Sequence, residues 1–216
     1  MRLHADRTER VVIDTRTAAW AASPEPNVHR IMLDRDGDEI ARATSIVRYA
    51  PGARFKEHVH GQGEEILVLD GEFRDEHGVY PAGTYLRNPW GTRHSPFSPQ
   101  GCLLFVKLRQ IPADDRQSVV VEAAVARSAL EAERGVCEVV LHATGSERVS
   151  LVRWPPGHAD ARHDHPYGEE ILVLEGDLAD EHGRYRAGAW LRQPAGSAHV
   201  PFTRDGCLMW VKRGPR

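Results

Sequence analysis

The sequence predicts an all-β protein built from two tandem copies of one small barrel or sandwich. Three observations carry that prediction. Short runs rich in Val, Ile, Leu and Tyr alternate with turn signals made of Gly, Pro, Asp and Asn, the pattern of antiparallel sheets. The stretch from Gly52 to Gly71 recurs 105 positions later, and more than half of the residues from Pro51 to Lys107 are identical to their equivalents in Pro156 to Lys212. A chain of 216 residues divides at such a repeat into halves of ordinary domain size, expected here as residues 1–111 and 112–216.

The elements follow in order. Val11-Val12-Ile13 reads as a short strand, and Val119-Val120-Val121 opens the second half in the same way. Val28 to Leu33, a turn over Asp34-Arg35-Asp36-Gly37-Asp38, and Ala43 to Tyr49 read as a hairpin. Val136 to Leu141 and Val149 to Trp154 repeat it with a shorter turn. Glu65 to Leu69, a turn at Asp70-Gly71, Glu72 to Arg74, a turn at Asp75-Glu76-His77-Gly78, and Thr84-Tyr85-Leu86 continue the series. Ile111-Pro112-Ala113-Asp114-Asp115 has the polar, Pro-containing character of a linker, which places the boundary near residue 112. Ala123 to Arg134, rich in Ala, Glu and Arg, suits a helical turn or two. Along Glu64 to Leu69, as along Glu169 to Leu174, both strand faces carry apolar residues. The outer face therefore calls for a cover, either the other barrel or a second chain in a homodimer.

Within the repeated stretch, His58 and His60 lie at i and i+2, so an extended backbone points both to one face. A turn at Gly61-Gln62-Gly63 lets the next strand bring Glu64 alongside. His94, after Pro89-Trp90-Gly91, supplies a fourth group. The second copy has His163, His165, Glu169 and His199 at identical spacing. Alternation turns Glu65 and Glu170 to the opposite face from Glu64 and Glu169. One isolated histidine would read best as a turn or core residue, but eight groups at two identical spacings read as metal ligands. A donor set of three imidazoles and one carboxylate suits a divalent first-row metal, Zn(II), Fe(II), Mn(II), Ni(II) or Cu(II), about two per chain.

These residues resemble the two motifs of the cupin superfamily, G-x5-H-x-H-x3-E-x6-G and G-x5-P-x-G-x2-H, complete in both halves. The resemblance implies a bicupin of two double-stranded β-helix (jelly-roll) barrels, with His58, His60, Glu64 and His94 holding one metal and His163, His165, Glu169 and His199 another. More narrowly, Gly63-Glu64-Glu65-Ile66-Leu67-Val68-Leu69, Asp75-Glu76-His77-Gly78 and Gly101-Cys102-Leu103 look like the cupin part of ChrR-type anti-sigma factors. That family joins its cupin to a zinc-binding domain with a His-x3-Cys-x2-Cys signature that holds the sigma factor. The signature is absent from these residues, which argues against a sigma-factor partner.

Arg48, Arg87, Arg153 and Arg192 are kept by the repeat on strands flanking the motifs. They are candidates for binding a substrate carboxylate, with surface ion pairing as the plain alternative. Tyr80 and Tyr185 read as packing residues, Cys102 and Cys207 as small core residues, and His77 and His182 as turn residues. No catalytic residue is assigned. A net charge of -3 from 28 Lys and Arg against 31 Asp and Glu, with no dense basic run, excludes a nucleic-acid surface. Three cysteines without a C-x-x-C pair, an N-terminus without a signal-peptide core and no long apolar stretch fit a cytoplasmic protein without a membrane span. No nucleophile with a paired base and no phosphate-binding glycine loop appears. The expected function is a metal-dependent sensor or small-ligand-binding protein. The alternative is an Fe(II)-type dioxygenase acting on a diketone, enol or thiol, in which metal positions left open by the protein accept substrate and oxygen.

Overall fold

A computed structural model describes residues 1–38, 40–132, 134–145 and 147–214. They form two β-barrels, each an antiparallel double sheet, joined by one helix, Ala123–Ala132. The helix agrees with the Ala- and Glu-rich segment expected there, and residue 133 of that segment lies outside the described residues.

In the first unit the main sheet has the order Arg2–Leu3, Val28–Asp36, Arg42–Tyr49, Cys102–Leu108, Glu64–Asp75, Tyr85–Asn88 and Val119–Val121. In the second unit the order is Cys137–Thr144, Glu147–Trp154, Cys207–Arg213, Glu169–Asp180, Ala189–Gln193 and Val11–Asp14. The hairpin expected from Val28 to Tyr49 is present, but its first strand continues through Asp36, into the expected turn. In the second hairpin the turn includes residue 146, outside the described residues.

The long strand Glu64–Asp75 corrects one expectation. Asp70-Gly71 is not a turn between two strands but a bulge within one. Opposite it the register steps from Leu103 facing Asp70 to Leu104 facing Val68. Gly71 has φ +71°, and a Cβ there would lie 2.4 Å from the carbonyl oxygen of Gly101. Only glycine satisfies both the left-handed conformation and that close backbone approach. Gly176 repeats the arrangement, with φ +68°.

The compact units also differ from a cut at residue 112. One comprises Met1–Ala5 with Ala19–Arg127, the other Asp6–Ala18 with Ser128–Arg216. The N-terminal strand Val11–Asp14 pairs with Ala189–Gln193 in the second unit, and Val119–Val121 pairs with Tyr85–Asn88 in the first. The segment with linker character packs on the first barrel. Ile111 is buried, its carbonyl accepts a bond from Trp90 Nε1, and Asp115 is ion-paired to Arg87.

The barrel interiors set the phase of every strand. Ile66, Val68, Phe73, Leu86, Leu104 and Val106 belong to the first core, and Val152, Ile171, Val173, Leu191, Met209 and Val211 to the second. Glu64 and Glu169 share the inward face with Ile66 and Ile171, so each carboxylate stands at the end of an apolar interior. Glu65 and Glu170 point the other way. Glu65 accepts from Tyr85 Oη at 2.7 Å and pairs with Arg87 Nη1 at 2.8 Å, while Glu170 accepts from Trp190 Nε1 at 2.8 Å.

Candidate metal centres

His58 and His94 face each other across an antiparallel strand pair, and His163 faces His199 in the same way. Imidazole pairs directly opposite on adjacent strands are close neighbours, and each i+2 histidine joins them from the same strand face or its continuation. In the first barrel the three ring centroids are 4.7 to 5.2 Å apart. In the second they are 4.9 to 5.1 Å apart.

Glu64 completes the first cluster. Its Oε2 lies 3.2 Å from His60 Nε2 and 3.4 Å from His94 Nε2. A divalent ion bound at ~2.1 Å has neighbouring donor atoms about 3.0 to 3.4 Å apart, so these separations fit one ion. His58, His60, Glu64 and His94 form a group whose donor atoms all lie within 4.8 Å of one another.

The imidazoles are also oriented for ligation. His60 Nδ1 donates to Thr92 Oγ1 at 2.8 Å, because that hydroxyl spends its own proton on the carbonyl of Pro89. His94 Nδ1 faces Asp75 Oδ2 at 3.1 Å, and His58 Nδ1 faces the carbonyl of Lys56 at 3.1 Å. Each outward Nδ1 thus has an acceptor that holds the proton there, leaving the Nε2 lone pair turned to the centre. Among the described residues the buried Nε2 atoms of His60 and His94 have no hydrogen-bond partner, and neither have those of His165 and His199. Buried acceptors without donors fit a cation at the point where they converge.

Asp75 is the residue behind His94. Its Oδ1 also accepts from the amides of His77 and Gly78 and from Tyr80 Oη, at 2.8 to 3.0 Å. Burial opposes the charge on Asp75, but these bonds and the His94 contact outweigh it and keep its pKa below the usual value. For His94, burial favours the neutral ring, yet Asp75 and Glu64 win and raise its pKa. Burial likewise works against ionised Glu64, but the His60 contact and the nearby imidazoles hold it down at about 2. Asp180 and Tyr185 repeat the pattern behind His199.

The second cluster departs from the first. His163, His165 and His199 lie within 4.8 Å of one another, and Glu169 falls outside that set. Glu169 Oε2 is 3.5 Å from His165 Nε2 and 3.9 Å from His199 Nε2, while its Oε1 accepts from Arg213 Nε at 2.8 Å. Burial, with Arg213 among the smaller causes, lowers the pKa of His165.

The four arginines are not brought to either cluster. Val47, Leu86, Val152 and Leu191 pack into or against the cores, so Arg48, Arg87, Arg153 and Arg192, one position later, turn to the opposite face. Arg48 stacks on Trp20 at 3.9 Å. Arg87 is buried between Glu65 and Asp115. Arg153 donates to the carbonyl of Gly135 and Arg192 to that of Asp6. The four side chains that were candidates for a substrate carboxylate are thus engaged elsewhere in the fold. Tyr80 and Tyr185 do more than pack, because they anchor the carboxylates behind His94 and His199. The signal for Asp75 and Asp180 was present in the repeated Asp-Glu-His-Gly turn, but turn geometry alone explained it. Cys102 and Cys207 are buried, and burial pushes each thiol up to about 11, as core cysteines require.

A family model for the ChrR cupin-like domain matches residues 8–112 and again 116–216. The chain belongs to that family and carries two copies of its domain. Among curated proteins none matches the sequence. Similar solved structures include a candidate dioxygenase of Nostoc punctiforme PCC 73102, 17% identical with TM-score 0.77, covering 96% of this chain and 83% of that one. Protein Ylba of E. coli is 15% identical with TM-score 0.75, covering 98% and 93%. An oxalate decarboxylase variant of Bacillus subtilis is 14% identical with TM-score 0.63, covering 94% and 77%. At these identities the likeness shows the cupin fold. No helix among the described residues is long and apolar enough to cross a membrane.

Proposed function

We propose that this chain is a divalent-metal-binding bicupin that recognises a small ligand at a histidine-rich centre, as a metal-dependent sensor or ligand-binding protein of the cytoplasm. One observation carries the reading: the convergence of His58, His60, Glu64 and His94, each imidazole held by an acceptor behind it. Zn(II) or Fe(II) suits the donor set best, and Mn(II), Ni(II) and Cu(II) share its chemistry. When bound, the ion supplies Lewis acidity toward an oxygen or sulfur donor of the ligand. The protein residues do the rest. Glu64 offsets one unit of the ion's charge, Asp75 fixes the His94 ring, and Val68, Phe73 and Leu104 wall the interior with apolar surface. His58 is only half-buried, so the approach for a ligand is assigned to its side.

A second reading, an Fe(II) dioxygenase acting on a diketone, enol or thiol, draws on the fold shared with the Nostoc protein. Elemental analysis of untagged protein prepared without added metal separates the two. About two tightly held Zn per chain supports the sensor, and Fe together with oxygen uptake on such substrates supports the oxygenase. The Glu64→Ala variant is expected to lose most of the metal held by the first centre. Protein that takes up no divalent ion refutes both readings.

A further inference from the structure

The two barrels repeat each other closely, yet among the positions beside the second cluster that break the repeat, two introduce a guanidinium. Leu108 faces Glu64 across the sheet, and its counterpart facing Glu169 is Arg213. Arg213 Nε donates to Glu169 Oε1 at 2.8 Å, from a carboxylate that is 2% exposed. Val119 faces Arg87 and Val11 faces Arg192, so Arg10, just before Val11, stands where the first barrel has Ser118. Arg10 Nη2 lies 3.3 Å from Asp180 Oδ2 and within hydrogen-bond distance of Tyr185 Oη, and its Nε donates to Gln193 Oε1 at 3.0 Å. Both carboxylates that would serve a metal in the second barrel, the ligand Glu169 and the orienting Asp180, thus carry a guanidinium partner, and among the described residues no guanidinium stands in the equivalent place beside Glu64 or Asp75.

Building on the metal-binding reading, we infer that the two centres are chemically distinct. The first is a three-histidine, one-carboxylate centre. The second is a three-histidine centre whose carboxylate is held back by Arg213, which acts as the positioning residue. The physical reason is competition for one anion: a bond to a guanidinium is charge-assisted, directed along the donor and already made in the folded protein. Its charge also cancels that of Glu169, so the site attracts a divalent cation less strongly. The first centre therefore fills first and holds its ion more tightly. The second keeps a further coordination position for an exogenous donor.

The test isolates each centre and titrates the metal-free protein with Co(II) alone, following its visible absorption. His163→Ala with His165→Ala leaves the first centre, and His58→Ala with His60→Ala leaves the second. In the second-centre background, Arg213→Leu is expected to tighten Co(II) binding by about 10- to 100-fold, the usual size of effects from residues behind the ligands. It is also expected to intensify the spectrum as the carboxylate joins the ion. Glu169→Gln should weaken binding little when Arg213 is present and strongly when Leu replaces it. Conversely, Leu108→Arg should weaken the first centre and change its spectrum. The inference is overturned if Arg213→Leu leaves affinity and spectrum unchanged, or if Glu169→Gln costs as much beside Arg213 as Glu64→Gln costs in the first centre. It is also overturned, with the metal reading intact, if the first centre binds Co(II) and the second refuses it even with Leu at position 213. Failure of both isolated centres to bind sinks the metal reading and this inference together.

Discussion

Asp75→Asn tests whether the carboxylate behind His94 governs metal binding. The substitution keeps size and shape. The amide oxygen can still accept from the amides of His77 and Gly78 and from Tyr80 Oη, three bonds of 2.8 to 3.0 Å. The turn therefore survives, and the amide nitrogen is left facing His94 Nδ1, now 3.1 Å from a carboxylate oxygen. Two donors then oppose each other. The ring escapes by moving its proton to Nε2, the atom aimed at the metal, or by rotating away. Either change removes a prepared ligand, and loss of such an outer partner costs about 10- to 100-fold in metal affinity, about 1.4 to 2.7 kcal/mol. Competition between the protein and a chelator for Zn(II), in the His163→Ala, His165→Ala background, measures it. Tyr80→Phe is the control: it deletes one bond to Asp75 without touching the contact with His94, and should change affinity less than threefold. Unchanged affinity in Asp75→Asn, with the thermal transition intact, refutes the orienting role.

Further outcomes follow from the same geometry. Gly71→Ala forces a left-handed residue and a 2.4 Å approach to the Gly101 carbonyl. It should cost about 2 to 5 kcal/mol in denaturant unfolding, the sum of conformational strain and overpacking, and a change within about 0.5 kcal/mol would discard the bulge argument. Arg87→Ala leaves Glu65 and Asp115 buried without their cation, for which about 3 to 5 kcal/mol is expected. Arg87→Met should recover little, because a thioether supplies no positive charge to the two carboxylates. Cys102 and Cys207, held at about 11 by burial, should resist a thiol-reactive dye at pH 8 in the native protein and react on denaturation. Rapid native labelling of either would show a solvent path that the fold does not provide.

The metal-ligand pattern was legible in the sequence because its determinants are local. His58 and His60 share a face by the two-residue period of an extended chain, and the same period separates Glu64 from Glu65. A repeat at constant spacing then raised the pattern above chance. The all-β class and the helix from Ala123 were readable from alternation and composition for the same reason. Non-local pairing decided the rest. The strand Val11–Asp14 completes the second barrel rather than the first, since ladder hydrogen bonds join residues far apart in sequence. Asp75 looked like an ordinary turn residue until the fold placed its second oxygen against His94, 19 positions later. Arg213 carries no signal in the sequence, and only the sheet sets it opposite Glu169, while Arg87 reads as a pocket cation until strand phase buries it between Glu65 and Asp115. A sequence displays which groups share a strand face. Which charge faces which is set only when strands distant in the chain come into register.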